Sequence, residues 1–194
     1  MPLDRTYPVT IVRAFPPGEL AALPAAEADR GEEDGLAGNR DYQDIRGVSW
    51  DDLDRTLQLE GELLRRFAAA EDKDLEAELF EEERLEAVLP EEELWGLDVG
   101  VAGAVLALAA LGAVPVVSCN AGGFGGHHVA QFPYVGFFLG HVEAQAVLTA
   151  AEEADVGLDI VAGGLGRLFG RTDLDLHRFA RRVLARHKVT QVAR

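Results

Sequence analysis

The chain has 194 residues, 48% of them hydrophobic, with one cysteine and a formal net charge of −16. That length suits a single domain with a core of its own, and a lone cysteine excludes an intramolecular disulfide and points to a reducing, cytoplasmic setting. The charge argues against nucleic acid as a partner, since phosphates are repelled, and the longest apolar run, residues 99–119, is divided by Pro115 and so reads as a buried helix plus a buried strand, not a membrane span.

Residues 7–15 are rich in β-branched and aromatic side chains and predict a strand, ended by Pro16-Pro17-Gly18, with Pro8 putting it at an edge or a strand start. A short helix near 20–28 and charged, glycine-punctuated loops over 29–35 and 39–47 follow. Ser49 caps a helix over 49–70, with Asp52 as the acidic member of a capping box and Leu53, Leu57, Leu64 and Phe67 as the apolar stripe. Asp74 caps a second amphipathic helix over 75–89 through Leu75, Leu79, Leu85 and Leu89, and Pro90 starts a new turn. Asp98 caps a helix to about Leu111, with Gly112 as its stop. The unbroken apolar run 113–119 predicts a strand covered on both faces.

A glycine loop spans 120–131, followed by a strand over 133–139, a helix over about 142–154 stopped by Gly157, and a strand over 158–161. A strand–helix–strand unit of this kind places its two strands parallel in one sheet. Gly163, Gly164 and Gly166 then break the pattern. Thr172 or Asp173 caps a last helix to about His187, with Leu176, Phe179, Val183 and Leu184 as its buried face.

The fold expected is a single α/β (α+β) domain: a mixed three- to four-stranded sheet with packed helices. Its parts are an N-terminal strand with loops (1–48), an acidic helical segment (49–96), an α-β-β-α-β core (97–165) and a basic C-terminal helix (166–194). Charge follows these parts. Residues 27–99 carry 25 acidic and 8 basic side chains, residues 100–166 carry 5 acids and no Lys or Arg, and residues 167–194 carry 2 acids and 8 bases. The basic helix, with Arg178, Arg182 and Arg186 at i+4 spacing, is expected to pair with the protein's own acidic surface.

The chemistry concentrates at the end of the 113–119 strand. Ser118, Cys119 and Asn120 lead into Gly122, Gly123, Gly125 and Gly126, then His127 and His128. Strand ends of an α/β sheet are where ligands are usually met. Glycines allow close backbone approach, and successive free N–H groups can cradle an anion. Four readings stay open. Cys119 is a thiol nucleophile with His127 or His128 as base. Cys119, His127 and His128 hold a metal, against which two adjacent histidines with no second cysteine or HExxH pattern argue. Ser118, Asn120 and the loop amides bind a small anionic or nucleotide-like ligand. Or the segment is architectural, with Cys119 a small buried hydrophobe. The loop lacks the Gly-Lys-Ser/Thr of a phosphate-binding P-loop.

The element order around Ser118-Cys119-Asn120-Ala121-Gly122, over residues 97–165, resembles small uncharacterised bacterial proteins with a strand-end Ser-Cys-x-Gly signature. More distantly it resembles the core of tRNA wybutosine-synthesis methyltransferases. Here Asn120-Ala121 stands where that family has Ser-Gly, and no arginine follows. What the resemblance implies is that Ser118 and Cys119 line a pocket. The leading expectation is therefore a small-anion or nucleotide-like binding protein centred on this loop, with catalysis undecided and the cofactor unspecified. The alternative is an acidic interaction module of immunity or antitoxin type that takes a basic protein partner on residues 71–93.

Overall fold

A computed structural model describes residues 5–22, 45–85, 94–124, 130–140 and 143–192. The expected 20–28 helix beyond residue 22, the 29–35 loop, most of the 39–47 loop, residues 86–93, Gly125, Gly126, His127 and His128 lie outside the described residues.

Among the described residues, five strands form one mixed sheet: β1 (Arg13–Ala14), β2 (Val114–Cys119), β3 (Tyr134–Phe138), β4 (Gly157–Val161) and β5 (Leu165–Phe169), in the spatial order β1-β4-β5-β3-β2. β1 runs parallel to β4, and the other neighbours are antiparallel. Because β3 and β4 both run antiparallel to β5, they are parallel to each other, as the strand–helix–strand pattern predicts, with β5 inserted between them.

The sheet has more strands than expected because β5 looks broken in sequence. Gly166 lies directly opposite Phe137, and a Cβ there would come within 2.7 Å of the Phe137 ring. Glycine therefore makes room for an aromatic of the adjoining strand instead of ending its own. The N-terminal strand is shorter than expected. Only Arg13–Ala14 joins the sheet, since the Val9 N–H turns back to the Tyr7 carbonyl at 2.8 Å and Pro8 has no donor.

Five α-helices accompany the sheet among the described residues: α1 (Trp50–Ala69), α2 (Lys73–Leu85), α3 (Ala102–Ala110), α4 (Ala144–Ala154) and α5 (Asp175–Val192). The capping box of α1 is present. Ser49 Oγ accepts the Asp52 N–H at 3.1 Å and Asp52 Oδ2 accepts the Ser49 N–H at 3.0 Å. Its stripe Leu53, Leu57, Leu64 and Phe67 is buried. α3 is buried on every side, and packs against α1, α5, β2 and β3. It starts later than expected, after a turn in which the Asp98 carbonyl accepts the Val101 and Ala102 N–H groups. At its end Gly112 takes a φ of +89°, the Ala113 N–H reaches the Leu108 carbonyl at 3.0 Å and the Gly112 N–H reaches Ala109 at 2.9 Å, a left-handed stop as predicted. α4 is stopped by Asp155 at φ +55°, not by Gly157, which is the first residue of β4.

α2 departs furthest from its pattern. Asp72, not Asp74, caps it, accepting the Asp74 and Leu75 N–H groups at 3.1 Å. Leu75 and Leu79 are 51% and 42% exposed, and the anchor is Phe80, packed edge-on against Phe67. Arg66 of α1 clamps the helix through Glu76 and through Glu83 at 2.6 and 2.9 Å. Among the described residues no helix is long and apolar enough to cross a membrane.

Candidate functional site

The strand-end loop turns inward. Cys119 pairs with Tyr134 across the sheet and is 3% exposed. Asn120 is equally buried. Its Oδ1 accepts the Gly122 N–H at 2.9 Å and its Nδ2 donates to the Val99 carbonyl at 3.3 Å. The Ala121 N–H donates to Cys119 Sγ at 3.3 Å, and the Gly123 N–H to the Asn120 carbonyl at 3.3 Å. The amides of residues 121–123 are thus engaged within the loop itself. Phe124 then plugs into the core, 1% exposed and 5.1 Å from the Phe67 ring. Ser118 is half-buried on β2.

Beside this loop sits a buried tyrosine–aspartate pair. Tyr7 Oη donates to Asp173 Oδ1 at 2.6 Å. A Cβ on Gly123 would approach the same oxygen to 2.6 Å, so the loop presses directly on Asp173. Burial pushes the Asp173 carboxyl above its ordinary range against the Tyr7 hydrogen bond. The Tyr7 phenol is pushed up by burial and by Asp173, and the Tyr134 phenol by burial and by Cys119.

The described residues place a second acid–base pair elsewhere, between α1 and α5. Glu60 has no exposed surface. Its Oε1 accepts the Gly100 and Gly103 N–H groups at 3.0 and 3.3 Å, at the entry to α3, and its Oε2 lies 2.6 Å from His177 Nδ1. Oε1 thus accepts from two backbone donors while Oε2 faces the imidazole, so three polar contacts converge on one carboxyl group. With its Nδ1 edge against Glu60, the ring turns its Nε2 edge to the opposite side. That edge lies beside Gly61, about 4.0 Å from where a Cβ on that residue would stand.

His177 and Gly61 both line a groove of about 630 Å³ between α1 and α5, whose rim carries Arg65, Arg181 and the Asp54–Lys188 ion pair at 2.6 Å. Arg181 is exposed and makes no ion pair among the described residues. A smaller depression of about 190 Å³ lies further along α5, where the His187 ring stacks on Trp50 at 3.7 Å.

Sequence reasoning passed over both members of the buried pair, although a signal was there. Glu60 stands on the stripe between Leu57 and Leu64, and His177 stands next to Leu176 on the face that carries Phe179 and Ala180. A polar residue on a buried helical stripe needs a partner. Among the described residues no group of three or more His, Cys, Asp and Glu side chains could hold a metal ion.

No family model, curated protein or solved structure matches the chain. The resemblance at Ser118-Cys119 therefore rests on those residues and the element order alone.

Proposed function

We propose that the chain binds a small anionic ligand in the groove between α1 and α5, and that His177 exchanges a proton with it. The observation that supports this reading is the Glu60–His177 pair. Placing a carboxylate where no water reaches it is costly unless every acceptor site is met. Here the outlay holds an imidazole in one orientation, with its second nitrogen at the wall of an open groove. A carboxylate behind a histidine fixes the ring's tautomer and stabilises it when it takes a proton. Arg181 and Arg65 at the rim supply the cationic donors that a carboxylate or phosphate group takes. The reading keeps the ligand class expected from the sequence and moves its location from the glycine loop to the helix pair.

The test is a titration of the isotopically labelled chain with inorganic phosphate and with malonate, read at the histidine ring resonances. Saturable shifts at His177, weakened in Arg181→Ala and abolished in Gly61→Leu, support the proposal. Gly61→Leu fills the groove from a position where a Cβ meets only ordinary contacts, and it removes a helix-interior glycine, so the fold is retained. Saturable shifts confined to His127 and His128 return the site to the glycine loop. The absence of saturable shifts at any histidine with either anion refutes the reading.

A further inference from the structure

Five large apolar side chains stand exposed among the described residues, and four of them fall on two helix faces of opposite charge. On α2, Leu75 and Leu79 share one face with Asp74, Glu78 and Glu82, all exposed. The i+4 spacing of both sets makes this an acidic amphipathic surface turned away from the body. On α5, Val189 and Val192 are 69% and 90% exposed. They lie on the same face as the exposed Arg182, which makes no ion pair among the described residues, and Arg178.

The helix runs on past its last buried residue, Leu184, for roughly two turns. Over residues 185–192 only His187 is partly covered. This end meets the body through Arg186 on Glu153, His187 on Trp50 and Lys188 on Asp54, and beyond them the last turn carries Val189 and Val192 as exposed apolar residues suited to a contact surface.

The two faces complement each other in both respects: leucines among acids on one, valines among arginines on the other. We infer that the α2 face docks the projecting end of α5 from a second copy of this chain. The net charge of −16 opposes association at long range. At physiological salt, however, the screening length is about 8 Å, so the local faces decide.

Sedimentation of the full chain over a concentration series tests this with a charge exchange. The unaltered protein self-associates as its concentration rises. Glu78→Arg with Glu82→Arg sets arginines against Arg182 of the partner copy, and Arg182→Glu sets acid against acid; each variant alone weakens association at least about tenfold. Mixing the two variants makes every contact complementary again and restores association to near the original strength. All three positions are exposed, so circular dichroism is expected to show an unchanged fold. A chain that stays monomeric at every concentration overturns the inference, as it would if α2 serves only a basic protein other than itself. Association indifferent to these substitutions, or variants that fail to restore each other, overturn it too.

Discussion

Removing the carboxylate of Glu60 is the sharpest probe of how this molecule is held together. Glu60→Ala leaves the Gly100 and Gly103 N–H groups without their acceptor and His177 Nδ1 without its partner, around a side chain that has no exposed surface. A buried donor stripped of its partner costs about 1–3 kcal/mol, and removing one member of a buried charged pair costs about 3–5 kcal/mol in total, so the expected loss is at the upper end of that range. Glu60→Gln keeps the shape and an oxygen for the two backbone donors. Its amide can donate to Nδ1 once the imidazole changes tautomer, and the expected loss is only about 1–2 kcal/mol. Urea unfolding followed by circular dichroism measures both, with an unchanged dependence on denaturant as the check that only stability has moved. A Glu60→Ala variant within about 1 kcal/mol of the parent would mean that water reaches these donors, and it would refute the account of a closed, three-bond carboxylate site.

Two further outcomes follow from the strand-end loop. Phe124→Ala is expected to cost about 3–5 kcal/mol and to speed hydrogen exchange at residues 121–123, because the ring that pins the loop to Phe67 is lost; a cost under about 1 kcal/mol would show that the loop is held by other means. Asp173 holds its proton at higher pH in the folded chain than in the unfolded one, so its contribution to stability is complete below the ordinary carboxylate range and is lost as pH rises through the raised value. Asp173→Asn should therefore gain on the parent in urea unfolding as pH rises above the ordinary carboxylate range, and a difference that stays constant with pH contradicts the assignment.

The parts of the fold legible in the sequence are those in which one rule acts alone. The α1 stripe and its capping box, the glycine stop of α3 and the parallel relation of β3 and β4 all follow from local pattern. The failures have a common cause: a side chain in another element decides the outcome. Gly166 reads as a breaker until Phe137 is seen to need its space. Leu75 and Leu79 read as the buried stripe of α2, but Phe80 and the Arg66 clamp set which face of that helix meets the body.

The candidate site shows the same limit. His127 and His128 draw attention because they adjoin each other and a glycine run, and they lie outside the described residues. Glu60 and His177 stand far apart in the chain, each inconspicuous among leucines or arginines, and only the packing of α1 on α5 brings them within 2.6 Å. The fate of the amides at 121–123 was equally invisible, since it depends on where the Asn120 and Cys119 side chains turn.

The position of β5 carries a consequence for the order of events as the chain folds. β5 is the last strand in sequence, yet it lies between β3 and β4, and β1 must wait to pair with β4, Arg13 meeting Leu158. During synthesis the β2–β3 hairpin can form early, but the sheet cannot close across its middle until residue 169 has emerged. α5, which lies against α1, α3 and α4, emerges later still. Contacts so distant in sequence make for slow, all-or-none assembly. Until then the apolar surfaces of α3 and β2 lack their covers.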